Sequence, residues 1–197
     1  MPTVNYQVNV SADDGHWYGS SFSSSAAIAN YGVDNVRNAV HNYYRWTGVT
    51  IPNGAKIISA TVSCYDRGLG VGEILEGTKL CFLKSADPAA PTSVTQANTL
   101  LNSLTTNYVV PAMSNGRSWF NHPDVKDIIQ ELVDTYSYAS GAAMMCIIKA
   151  VAGAVSNCGA IYMWDYTGNT RGAKLEITYS LGSLLPRRRS FNSILVR

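Results

Sequence analysis

The sequence predicts an all-β protein: a two-sheet, jelly-roll-like β-sandwich that carries one docked α-helix and ends in an extended C-terminal arm. Three observations predict it. The run from Tyr43 to Tyr65 reads as an aromatic strand, a Pro52-Asn53-Gly54 turn, and a second strand in which Ile58, Ala60, Val62 and Cys64 share one face. Strict alternation of this kind marks a half-buried strand. About ten short runs punctuated by turn residues follow one another along the chain, the spacing of two packed antiparallel sheets. One segment has a clear helical period. Val125, Ile128, Ile129, Leu132 and Val133 recur at i, i+3, i+4, i+7 and i+8, an apolar stripe that must lie on something.

Taken in order, Val4, Tyr6, Val8 and Val10 alternate with polar residues, so the chain opens with a strand that Asp13-Asp14-Gly15 ends. His16 to Phe22 and Ala26 to Tyr31 read as two further strands around a Ser-rich turn. Val40 to Gly48 is the aromatic strand, and Ala55 to Asp66 follows it. Gly68-Leu69-Gly70-Val71-Gly72 is a loop. It opens no helix and no Lys-Ser/Thr follows, so it is not a phosphate cradle. Gly77 to Ser85 is the next strand. Pro88 and Pro91 mark a connection, and Ser93 to Leu101 has the look of a short helix. Thr105 to Val110 returns to β, and Asn115-Gly116 is a turn. The periodic helix is expected from Pro123 to about Tyr136, with Pro123 at its first position and Asp124 at its positive end. Ala142 to Lys149, Gly159 to Asp165 and Ala173 to Tyr179 close the body. Residues 1–180 thus form the sandwich and 181–197 the arm.

Composition bounds the function. A chain of 197 residues buries roughly 70% of its unfolded surface and needs no metal or disulfide staple. Charged residues make up 14%, against about 25% in typical soluble proteins. The net charge of +2 misleads, because the tail holds Arg187, Arg188, Arg189 and Arg197, four of the fifteen basic residues, and no acid. The remaining eleven basic residues face all thirteen acidic ones. Bulk attraction of the body to nucleic acid is therefore not expected. Cys64, Cys81, Cys146 and Cys158 form no Cys-x-x-Cys pair and sit in apolar runs. They are expected to be free thiols, although spacing alone leaves a single disulfide open. No run reaches the roughly 18 apolar residues of a membrane span, and nothing before Val4 resembles a signal peptide.

Few residues are left over for chemistry. Asp13, Asp14 and His16 sit together before Trp17 and Tyr18. Carboxylates there would suit a cation and the rings would suit a sugar. The competing reading is a strand-ending turn with packed aromatics, since a hard-cation site needs about six oxygens or more. His16, His41 and His122 lie far apart and form no His-x-x-x-His pair. No Gly-x-Ser-x-Gly elbow is present. No catalytic residue, metal site or cofactor is expected.

Three segments carry a resemblance: Ile51-Pro52-Asn53-Gly54-Ala55-Lys56-Ile57 with its alternating strand, the 123–133 helix with the apolar strand after it, and the terminal Lys174-Leu175-Glu176-Ile177-Thr178-Tyr179. Over about residues 4–180 the chain resembles the jelly-roll sandwiches known as DNRLRE domains. It departs from their pattern at Arg45-Trp46, where the family prefers Arg-Phe-aspartate. Compact members resemble virion proteins of tailed bacteriophages, such as decoration, fibre or collar parts. The resemblance implies a non-enzymatic structural protein located in the virion, oligomeric and bound to other virion proteins, with no membrane or nucleic-acid partner. The tail would supply the contact. Leu184, Leu185, Phe191, Ile194 and Leu195 flank the Arg187-Arg188-Arg189 triplet, too short a stretch to bury its own anchors. An arm docked on a neighbouring chain, a tail folded back on its own sandwich, and nucleic-acid contact by the arginines remain the three readings. The alternative function is a carbohydrate-binding module using Trp17, Tyr18, Tyr43, Tyr44 or Trp164.

Overall fold

Alternation in the sequence becomes antiparallel pairing throughout the computed structural model, which describes residues 1–34, 38–68, 77–151 and 157–181. In chain order these residues form β1 (Thr3–Gln7), β2 (Asp14–Tyr18), β3 (Ser21–Ser23), β4 (Ile28–Asp34), β5 (Asn38–Ile51), β6 (Ala55–Asp66) and β7 (Lys79–Phe82). Then come α1 (Val94–Leu100), β8 (Trp119–Asn121), α2 (Lys126–Thr135), β9 (Tyr138–Lys149), β10 (Asn157–Tyr162) and β11 (Lys174–Leu181). The protein is all-β and sandwich-like. The first sheet pairs β1 with β11, β11 with β6, β6 with β10 and β8, and β10 with β4. The second runs β3-β2-β5-β9-β7. Strand β5 belongs to both: Asn38 to Val40 pair with β4, while His41 to Tyr44 pair with β2.

The Pro52-Asn53-Gly54 turn forms as its residues dictate. Gly54 takes φ +74° and Ala55 N–H donates to the Pro52 carbonyl at 3.1 Å, a four-residue turn that needs a positive φ at its third position. Strand β6 then departs from simple alternation. Tyr179 pairs with Ile57 and Thr178 with Ser59, so Ile58 is an extra residue in the ladder. A bulge of this kind resets the phase. Ile57 is buried and Ile58 is 37% exposed, so Ile58 does not share the inner face with Ala60, Val62 and Cys64.

The free edge of β6 is closed by side chains as well as by β8. Asp124 Oδ1 accepts from Ala60 N–H at 3.0 Å and from Lys126 N–H at 2.9 Å. Gln130 Oε1 accepts from Ile57 N–H at 2.8 Å, and its Nε2 donates to the Ala55 carbonyl. These bonds cover an edge that would otherwise invite pairing. They also explain why α2 begins at Lys126, three residues later than Pro123 suggested: the segment 122–125 is still laddering on β6, with His122 and Val125 donating to Val62 and Ala60. From there Ile128, Ile129, Leu132 and Val133 bury as one stripe.

Two cores result. The main one lies between the sheets and α2 and includes Tyr31, Tyr44, Trp46, Phe82, Ile129 and Leu175. The second lies outside the second sheet. There Trp17, Tyr43, Leu83, Ala97, Met145 and Ile147 pack together, with Phe22, Val94 and Leu100 around them. The short helix α1 roofs this second core. Ser93 Oγ caps it by accepting from Gln96 N–H, and Gln96 Oε1 reaches back to Thr92 N–H, a local signal that fixes a helix start. Strand β9 is buried on both sides as a consequence, with Ala143 to Ile148 all inaccessible.

Other boundaries moved. Asp14-Gly15 opens β2 instead of ending β1, and a hairpin at Gly19 splits His16 to Phe22 into β2 and β3. Thr105 to Val110 makes a single isolated bridge, Val109 with Leu80, and Leu104 just before it makes another with Leu83. Strand β11 continues to Leu181. Cys64, Cys81 and Cys146 are buried free thiols, and Cys158 is a partly buried one. Among the described residues no helix is long and apolar enough to cross a membrane. The tail residues Leu184, Leu185, Arg187, Arg188, Arg189, Phe191, Ile194 and Leu195, and most of the Gly68–Gly72 loop, lie outside the described residues.

Candidate functional site

The Asp13-Asp14 neighbourhood turns inward. Asp13 Oδ1 meets Arg45 Nη1 at 2.7 Å, and Arg45 Nε donates to the Pro88 carbonyl at 2.6 Å. Asp14 Oδ2 accepts from Trp164 N–H at 2.8 Å, while Ser11 Oγ donates to Asp165 Oδ2 at 2.8 Å. The Tyr43 hydroxyl donates to the Ala12 carbonyl. Burial, reinforced by the nearby charges of Asp165 and Asp13, pushes the Asp14 carboxyl up to about 8. The group is a latch that ties the start of β2 to the β10–β11 loop and to β5. Among the described residues no set of three or more His, Cys, Asp or Glu is placed to hold a metal ion.

The histidines are likewise structural. His122 Nδ1 accepts from Ala112 N–H and His41 Nδ1 from Ala150 N–H, each at 3.1 Å. Burial pushes both imidazoles down to about 4, with Lys149 adding repulsion at His41. His16 is stacked parallel to Tyr18.

The aromatic residues singled out for sugar stacking do not form a platform. Trp17, Tyr43 and Tyr44 are at most 1% exposed. Trp17 Nε1 donates to Asn98 Oδ1 at 3.0 Å, and Tyr43 packs parallel to Phe22. A ring with no accessible face cannot stack on a ligand, so these three are core residues. Trp164 is half-buried against the main core, and Tyr18 is half-buried beside His16.

A different aromatic group stands on the outer face of the first sheet. Register puts Trp119 opposite Tyr65 and Tyr65 opposite Tyr162, all on the face away from the main core. Their centroids lie 5.5 Å and 5.9 Å apart, with planes tilted by 78° and 56°. Tyr166 joins Tyr162 at 3.8 Å. Arg171 lies over three of these rings, its Cζ 4.2 Å from the Tyr65 centroid and 4.4 Å from those of Tyr162 and Tyr166. Lys174 Nζ sits 3.8 Å above Trp119. Each such contact contributes about 0.5–1 kcal/mol where it remains solvated and about 2 where it does not. The next outward row across the sheet is Asn121, Ser63, Lys174 and Gln7, and the row after it is Thr61, Glu176 and Asn5. The face is thus polar, with an aromatic group at one end.

Sequence reasoning missed this group for a plain reason. Strand β8 is three residues long, too short for a period, and the rings come from three strands and a loop. The available signals were Tyr65 closing an alternating strand and the Tyr162-x-x-x-Tyr166 pair before Arg171. Compared with known proteins, the chain matches no family model, and no curated protein matches it.

Proposed function

We propose that the chain is a non-enzymatic structural protein of a tailed-bacteriophage particle, a capsid decoration or head/tail accessory protein that binds neighbouring virion proteins and further copies of itself. One observation supports this reading most. The side chains with chemical potential are spent on rigidity: the Asp13–Arg45 pair, the Asp14–Trp164 bond, the buried His122, the half-buried His41 and the core rings all serve the sandwich. A rigid block suits a particle, where high local concentration lets modest interfaces suffice. The arm beyond β11 is the proposed contact. Leu181, at the end of that strand, is 61% exposed. Light scattering on the full chain and on a chain ending at Leu181 tests the proposal. The full chain is expected to assemble and the shortened one to remain a folded monomer. Unchanged assembly after truncation would remove the arm from the account.

The second reading, a carbohydrate-binding module, is favoured by the outer face of the first sheet. Its rings, amides and hydroxyls stand where no described element covers them. Binding to a glycan array, lost on Tyr65→Ala, is its expected signature.

A further inference from the structure

Resting on that second reading, we infer that Arg171 and Lys174 form a subsite for a sugar residue bearing a carboxylate, with the neutral members of the row that holds Lys174 (Asn121, Ser63 and Gln7) taking its hydroxyls.

Among the described residues the two cations are held by rings and by no carboxylate. Among the described residues Arg45 and Lys84 have carboxylate partners, at 2.7 Å and 3.8 Å. Arg171 and Lys174 have ring faces instead. A ring quadrupole attracts a cation without cancelling its charge. It also orders the side chain, so less rotamer freedom is lost when an anion arrives. A guanidinium lying on rings keeps its N–H fork in its own plane, and that fork matches a carboxylate with two parallel bonds.

The surroundings narrow the anion to a sugar acid. Successive outward rows on a strand lie about 7 Å apart, and the residues that share a row with Lys174 (Asn121, Ser63 and Gln7) are all neutral. Ser63 Oγ donates to Asn121 Oδ1 at 2.8 Å, which leaves the Asn121 amide N–H groups for a ligand. Gln7 Nε2 donates to the Thr170 and Gly172 carbonyls, which leaves its Oε1 as an acceptor. Donors and acceptors fixed in this way suit vicinal hydroxyls. A phosphate polymer fits poorly, because Glu176 is exposed on the same face of β11, two residues from Lys174. The rings are tilted against one another, not coplanar, and the cations already cover faces that a neutral sugar would stack on. Charge is therefore the main attraction, and ring contact is secondary.

The test uses the full chain, calorimetry, and oligosaccharides containing galacturonate, glucuronate or sialic acid, each beside its carboxyl-reduced counterpart. At least one acidic member is expected to bind tenfold or more tightly than its reduced form. Arg171→Gln should erase that difference, Arg171→Lys should restore part of it, and Lys174→Gln should reduce it several-fold. Melting temperature reports whether each variant is folded. Equal binding of acidic and reduced forms would overturn the carboxylate subsite and leave the glycan reading standing. Binding to no member and to no neutral glycan would overturn both. Preference for a polyphosphate or a sulfated polymer, unaffected by Glu176→Gln, would overturn the subsite in favour of a general polyanion surface.

Discussion

The outer faces of the two sheets are built by the same alternation and end in opposite states. On the second sheet, Trp17, Tyr43 and Ile147 point away from the main core and are buried again beneath Leu83, Ala97 and Leu100. On the first sheet, Tyr65, Trp119 and Tyr162 point away from the main core and remain half-exposed. Both faces carry rings. The difference is a cover: the 83–104 connection folds α1 across one face, and no described segment crosses the other. An aromatic residue in a strand therefore signals a face that is sticky, and its meaning depends on whether the chain closes over it.

The widest separation between the faces should come from introducing a charge. Ile147→Asp places an unpaired carboxylate in the second core, where Ile147 is fully buried, and is expected to cost about 5 kcal/mol or more, enough to unfold an ordinary domain. Ser63→Asp, on the bare face, should change stability by about 1 kcal/mol or less. Urea unfolding of the two variants decides the matter. Equal losses would mean that the first sheet is covered too.

Truncating one tryptophan on each face is a milder version. Trp17→Ala should cost about 3–5 kcal/mol through the cavity it leaves. Trp119→Ala should cost about 1 kcal/mol, the scale of its contact with Lys174. A Trp119 loss as large as that of Trp17 would contradict its placement at the surface.

The Asp14 latch joins the two sheets near β5, and it titrates in a defined sense. Its folded carboxyl is raised from the ordinary range to about 8, so the native state holds a proton that the unfolded chain releases near 4. The stability it contributes is present at low pH and is lost as pH rises from about 4 through 8. His41 and His122 act oppositely. Held neutral down to about 4, they erode stability as pH falls from about 6.5 toward 4, where the unfolded chain binds protons first. Asp14→Asn should therefore stabilise the protein by a few kcal/mol at pH 9 and steepen its acid-side loss relative to the alkaline side. A melting profile unchanged by the substitution at pH 9 would show that the carboxylate is solvated.

A smaller loss than that of Trp17 is expected at a close approach on β10. The Tyr31 ring lies directly on Gly159, so a methyl group there would strike the ring. Gly159→Ala should cost about 1–3 kcal/mol by forcing Tyr31 aside, and Tyr31→Ala should remove that penalty in a double-mutant cycle. Additive losses would show that the two do not touch.

Much of the architecture was legible in the residues themselves. The alternation in Ala55 to Asp66, the Pro52-Asn53-Gly54 turn and the stripe from Val125 to Val133 specify strand, hairpin and docked helix through local geometry alone. The Ser93–Gln96 cap marks α1 in the same way. What alternation cannot carry is a change of phase, so Ile57 and Ile58 exchanged faces at a bulge that depends on how β11 pairs with β6. Nor does it say which outward face will be covered. Trp17, Tyr43 and Tyr44 looked like a platform because rings near a turn are ambiguous until packing is known. Tyr65, Trp119, Tyr162, Tyr166 and Arg171 looked like nothing in particular, because cross-strand register, set by long-range hydrogen bonding between segments far apart in the chain, is what brings them within 4–6 Å of one another. Sequence determined the elements and their amphipathic faces, since those follow from side-chain period and turn chemistry. The tertiary structure alone decided which faces were closed and which side chains became neighbours, since that depends on where the connections run.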